Sequence, residues 1–168
     1  MSDPAGATVV LGVGNPIMAD DGVGPTAVAR LRSTGSLPDE VVLVDGGTWG
    51  LTLLPTIETA DRLLIVDAIH RGEAPGSIHR LERADLPSYL ARKISPHEVD
   101  LKEVLALCEL RGTLPATVVA LGIEPLRVDL ATELSPVVED AMPQLLEVIH
   151  QELARWGYGA PHPAPAHA

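Results

Sequence analysis

The side chains best suited to chemistry are carboxylates that follow apolar runs. Asp20 and Asp21 lie in the loop after Thr8-Val9-Val10-Leu11-Gly12-Val13, Asp45 follows Val41-Val42-Leu43-Val44, and Asp67 follows Arg62-Leu63-Leu64-Ile65-Val66. Short β-branched and aliphatic runs bounded by turn residues read as buried strands, so each aspartate is expected at or beyond the carboxyl end of one. In doubly wound sheets a ligand binds beyond those ends, in the crevice where neighbouring crossovers leave in opposite directions. If the first and third strands are neighbours, as that topology commonly has them, Asp21 and Asp67 converge on one crevice. His97 falls in the first turn of a predicted helix, where the positive end of the dipole favours a neutral imidazole able to ligate metal. Two carboxylates and one imidazole leave room for a water or a substrate carbonyl, and suit a borderline divalent ion such as nickel or zinc. The residues alone do not choose between these metals.

Each of these residues also has a plainer reading. Asp20 or Asp21 is the type of residue that caps the following helix, and Asp67 the type that satisfies backbone donors at a strand end. His70 and His79 read as solvated or packing histidines, and Cys108 as buried filling on an apolar helix face. His162 and His167 sit in a Pro/Ala-rich tail, where chance explains them better than metal binding. No serine or cysteine stands in a nucleophile arrangement with a base, which disfavours covalent catalysis. Gly12-Val13-Gly14 after a strand invites comparison with a dinucleotide fingerprint, but Ile17 occupies the place of the third small residue and the loop runs on through Met18 and Ala19. No helix amino terminus is then placed for a pyrophosphate, and nucleotide binding is not expected.

The elements that must position these groups follow from periodicity. After the first strand, Pro25 suits a first helical position, and Val28, Ala29, Leu31 and Arg32 continue a short amphipathic helix to Gly35. Residues 51–57, with Leu51, Leu54 and Ile57 at helical spacing, form a short second helix, and Ser77-Ile78-His79-Arg80-Leu81 a fourth strand. The short connection into that fourth strand predicts an antiparallel edge strand. Ser95-Pro96-His97-Glu98 has the form of a capping box, opening a helix whose inward face is Leu101, Val104, Leu105 and Cys108 and which Gly112 closes. Residues 117–122 form a fifth strand, and residues 135–156 a long helix with Val138, Met142, Leu145, Ile149 and Leu153 inward and Pro143 as a potential kink. Strands alternating with helices predict a single three-layer α/β/α domain, residues 1–156, around a mostly parallel five-stranded sheet. Residues 157–168 read as a flexible tail.

Composition narrows the function classes. With 168 residues, 46% hydrophobic but only 2% aromatic and no Phe, the chain can bury one core, built from Leu, Val, Ile and Ala. A formal net charge of -11 argues against nucleic acid and anionic membrane surfaces as partners. A single cysteine, the absence of a basic-then-apolar start and the lack of a long apolar run lead to the expectation of a soluble protein of the reducing cytoplasm.

The run Leu11-Gly12-Val13-Gly14-Asn15-Pro16-Ile17-Met18-Ala19-Asp20-Asp21-Gly22-Val23-Gly24 resembles the opening signature of the hydrogenase maturation peptidases. Asp45-Gly46-Gly47-Thr48 with Leu53-Leu54-Pro55, then Asp67-Ala68, Ser95-Pro96-His97 with Leu101, and Gly122-Ile123-Glu124-Pro125 resemble its later motifs in the same order. The resemblance implies a metal-binding triad matching Asp21, Asp67 and His97. The family is similar in using such a triad to recognise nickel already installed in a [NiFe]-hydrogenase large-subunit precursor before cutting off its carboxyl-terminal peptide. The nickel would come with the substrate, and no nucleotide is implied. The family commonly has Glu where this chain has Asp21, one methylene shorter, and Asp in one branch. Asn15, Asp45, Gly46 and Gly47 are implied as supporting or substrate-contacting residues. Whether a metal polarises the scissile carbonyl, activates water, or leaves one carboxylate to act as base stays open. A non-catalytic nickel-binding accessory protein would use the same triad.

Overall fold

The computed structural model describes residues 6–47, 50–91 and 96–159, with backbone alone for 96–100. Among them, five strands form one sheet: β1 (Thr8–Val13), β2 (Val41–Gly47), β3 (Arg62–Ala68), β4 (Ile78–Glu82) and β5 (Thr117–Ile123), in the order β2-β1-β3-β5-β4. β1, β2, β3 and β5 run parallel, and β4 pairs antiparallel with β5 at the edge, as expected from its short connection. Every residue of β1 is buried, which explains why its sequence is a continuous apolar run, whereas β4 alternates buried and exposed as an edge strand does.

Alternation along the strands builds two cores. Val9 and Leu11 of β1, Leu63 and Ile65 of β3 and Val118 and Ala120 of β5 face one side. That side is covered by α2 (Leu54–Glu58), α3 (Leu86–Ala91) and α4 (Pro96–Leu110), through residues including Ile57, Tyr89, Leu101, Val104 and Cys108. Val10, Leu64, Val66 and Leu121 face the other, under α1 (Val23–Thr34) and α5 (Pro136–Leu153). The five predicted inward residues of α5, Val138, Met142, Leu145, Ile149 and Leu153, are all buried. Each such side chain contributes roughly 1.5–3 kcal/mol relative to exposure.

Several local expectations change. α1 begins at Val23, ahead of Pro25, because a 3-10 turn at Ala19–Gly22 already brings the chain into helical direction. The second helix splits into a 3-10 turn at Gly50–Leu53 and α2. α3 was not legible: its six residues are too few for a periodic pattern, and it continues a 3-10 turn at Arg83–Asp85 whose start is fixed by a reciprocal capping box in which the Glu82 amide donates to Asp85 at 3.0 Å. Pro143 sits inside α5 without ending it. The packed chain runs two residues past the boundary expected at 156, because the Tyr158 hydroxyl bonds Thr8 Oγ1 at 2.7 Å. The expected cap Ser95, Thr48 and residues 160–168 of the expected tail lie outside the described residues.

Candidate functional site

The site is built at the carboxyl ends of β1 and β3, which are neighbours in register with Gly12 opposite Val66. The crossover through α1 packs on one face of the sheet and the one through α2 on the other, so the crevice between them is a switch point. The turn at Ala19–Gly22, which carries Asp21, packs against β3, which carries Asp67. Two close approaches make this possible. A Cβ on Gly14, whose φ is +128°, would lie 1.9 Å from the Asp21 carbonyl. A Cβ on Gly24 would lie 2.2 Å from the Val13 carbonyl and 2.4 Å from that of Val66, so α1 can seat its first turn across both strands only without a side chain there.

Asp21 is 2% exposed, and its Oδ2 accepts the Asn15 amide at 2.8 Å. Asn15 in turn accepts the Ile17 amide through Oδ1 at 3.1 Å, a local bond that helps fix the β1 loop. Asp67 is fully buried, and by strand alternation it shares the face of Leu63 and Ile65, under α3 and α4. Its Oδ2 accepts a short hydrogen bond from the Tyr89 hydroxyl of α3. His97 falls in the first turn of α4, on that same face of the sheet; its side chain lies outside the described residues. Among the described residues no group of three or more His, Cys, Asp and Glu side chains forms a metal cluster.

Asp45 lies exposed within β2, two residues before its end, and accepts the Gly47 amide at 3.1 Å where the β1–β2 register shifts. Gly46 is buried against Leu11 and Leu53, and Gly47, with positive φ, accepts the Gly14 amide at 3.4 Å, linking the β2 end to the β1 loop.

Asp20 caps nothing on α1. It is fully buried and ties the β1 loop to the far end of the chain: Oδ2 accepts the amides of Leu126 and Arg127 at 2.9 and 3.0 Å and the Ser135 hydroxyl at 2.8 Å, and Oδ1 the Ser135 amide at 2.7 Å. Backbone bonds from Ala19 to Ala131 and from Ala131 to Ile17 close the same strap. Ala19 pays for this with a left-handed φ of 51°.

Glu124, one residue past β5, has a role the sequence reading missed. Buried to 1% exposure, it accepts the Arg71 amide at 3.0 Å on both oxygens and the Glu73 amide at 2.5 Å, pinning the loop that leaves β3 after Asp67. Its position just after an apolar run, the sequence feature that also singled out Asp67, was the available signal. His70 Nδ1 stands 3.3 Å from it and His79 Nε2 3.8 Å. His70 is largely solvated as expected, while burial pushes the His79 imidazole below its ordinary pKa, against the opposing pull of Glu124. Cys108 is buried as expected, and burial raises its thiol pKa. No helix among the described residues is long and apolar enough to cross a membrane.

Comparison with known proteins agrees with this geometry. A family model described as hydrogenase maturation protease matches residues 25–152, a span that includes Asp45, Asp67 and His97 and begins after Asp21. The chain is 37% identical over 151 residues to a hydrogenase expression/formation protein, HupD, of Bradyrhizobium diazoefficiens, covering 89% of this chain and 79% of that one. It is 35% identical over 153 residues to the hydrogenase 2 maturation protease of Escherichia coli K12, covering 90% and 93%. Among solved structures, the E. coli hydrogenase maturating endopeptidase HybD superimposes with a TM-score of 0.83 at 34% identity, over 90% of this chain and 94% of that one. The Thermococcus kodakarensis [NiFe] hydrogenase maturation protease HybD does so with a TM-score of 0.68 at 27% identity, over 88% and 99%. Half the chain and more is thus matched by every one of these comparisons, and the chain belongs to the hydrogenase maturation protease family, whose members are endopeptidases.

Proposed function

We propose that this endopeptidase removes the carboxyl-terminal peptide from a nickel-loaded [NiFe]-hydrogenase large-subunit precursor, using Asp21, Asp67 and His97 to engage the substrate's nickel. The observation that carries the reading is the pair of buried carboxylates, Asp21 and Asp67, at the ends of adjacent parallel strands in a chain of this family. A buried carboxylate is costly unless it is paired, hydrogen-bonded or bound to a cation. Each of these two accepts a hydrogen bond, from the Asn15 amide or the Tyr89 hydroxyl, which restrains its orientation. α4 adds His97 from the face that Asp67 occupies. Three protein ligands leave coordination positions for the precursor's own groups and for a water or the scissile carbonyl. Enzyme and substrate would then share the ion only when the precursor arrives loaded, which makes cleavage conditional on nickel. Proton transfer to the leaving amine falls to a carboxylate or to water in the crevice. No nucleotide enters the reaction, and the reducing cytoplasm, where the precursor would be assembled, is the proposed compartment.

The test is the intact mass of the precursor, nickel-loaded and nickel-free, after incubation with wild type and with His97→Ala. Loss of a carboxyl-terminal peptide only from loaded precursor and only with wild type is the expected result. An uncut loaded precursor that still binds the protein would replace this reading with a non-catalytic nickel-binding role.

A further inference from the structure

We infer that Tyr89 is a positioning residue for the reaction, holding the Asp67 carboxylate in the orientation that receives the substrate's metal. This rests on the reading of Asp67 as a nickel-engaging residue. Tyr89 is 5% exposed, in the core between the sheet and α4, and its hydroxyl donates to Asp67 Oδ2 across a sequence separation of 22. The core here is almost wholly aliphatic, since the chain has no Phe and two Tyr. A buried phenol costs free energy unless its hydroxyl is bonded, so packing alone would be served as well by an apolar side chain.

The chemistry of the pair is specific. A neutral phenol gives a charge-assisted hydrogen bond to a carboxylate without adding a charge of its own. It occupies one oxygen and so sets the plane in which the other lies. Groups that orient a metal-engaging side chain in this way tune affinity without touching the ion. The placement of α3 adds a second feature. It continues the 3-10 turn at Arg83–Asp85 that Glu82 and Asp85 cap reciprocally, and it precedes α4, which carries His97. Tyr89 therefore references Asp67 to the segment that leads into the His97 helix. Tyr89 also lines a cavity with His70, Arg71, Asp85 and Ser88.

Tyr89→Phe removes the hydroxyl and keeps the ring; Tyr158→Phe removes a hydroxyl bonded to Thr8 at the opposite end of β1 and serves as control. Both variants and wild type are compared for kcat and KM on nickel-loaded precursor, for Co2+ affinity by visible absorption, and for thermal midpoint. Tyr89→Phe is expected to lose about 10- to 100-fold in kcat with KM little changed, and to bind Co2+ about tenfold more weakly. Tyr158→Phe is expected to match wild type in both. Wild-type kcat and Co2+ affinity in Tyr89→Phe would overturn the inference while leaving the proposed function standing, and so would a loss shared equally by Tyr158→Phe or one that tracks a lowered thermal midpoint. If wild type itself neither cuts the loaded precursor nor takes up Co2+, the proposed function falls, and the role of Tyr89 falls with it.

Discussion

The carboxylate of Asp20 receives both the amide and the hydroxyl of Ser135, at 2.7 and 2.8 Å, across 115 residues of chain. It thereby fastens the loop after β1 to the residue before α5. Asp20→Ala would strand two amides and two Ser135 donors at once. Hydrogen bonds to a charged group are worth roughly 1.5–3 kcal/mol each, partly recovered by water, so a net loss of about 3 kcal/mol is expected in urea unfolding. A change under 1 kcal/mol would show the strap to be incidental.

The neighbouring substitutions separate chemistry from stability. Asp21→Asn and Asp67→Asn keep an acceptor oxygen for Asn15 and Tyr89 but remove the charge that engages a cation. Cleavage of loaded precursor is expected to fall by about a hundredfold or more. Their unfolding midpoints should move less than that of Asp20→Ala. Activity retained in both variants would remove this pair from the site.

Gly24→Ala tests how tightly α1 is seated. The added methyl would collide with the backbone carbonyls of Val13 and Val66, neither of which is a movable side-chain end. Overpacking of this kind costs about 1–3 kcal/mol. Because the shift would carry the turn at Ala19–Gly22 away from β3, cleavage should fall as well. A stable and fully active Gly24→Ala variant would contradict the close approach.

Acid should weaken the fold before the carboxylates titrate. Burial lowers the pKa of His150 in the folded state, and burial also lowers that of His79 despite Glu124. Above about pH 6.5 both imidazoles are neutral folded and unfolded, and contribute no pH dependence. As pH falls below that value, the unfolded chain takes up protons first, so stability declines until the lowered folded pKa values are passed. Denaturant midpoints measured down from about pH 7.5 should drop below about pH 6.5, and His150→Gln should flatten part of the decline. A wild-type midpoint unchanged between about pH 7 and 5 would exclude both groups as sources.

Much of the molecule was legible because its signals are local. The aliphatic runs of β1, β3 and β5 announce strands buried on both faces, and the spacing of Val138, Met142, Leu145, Ile149 and Leu153 announces the face of α5. Strand ends followed by aspartates pointed to Asp21, Asp45 and Asp67, and the motifs in order pointed to the family. Residue type alone did not divide the labour between Asp20 and Asp21, which are chemically identical neighbours; the family motif pointed to Asp21, and nothing along the chain pointed to the work of Asp20. The role of Asp20 was decided by partners that fold back from residues 126–135. The same holds for Glu124, whose donors lie more than fifty residues earlier, at Arg71 and Glu73. Tyr89 also needed the fold, because α3 is too short to show a period and its hydroxyl meets Asp67 only once β3 and α3 are packed. Sequence by itself determined which residues are apolar, which end strands and in what order they come, since these depend on neighbours along the chain. Tertiary structure alone decided that Asp20 holds the scaffold, because a hydrogen-bond partner is chosen by proximity in space.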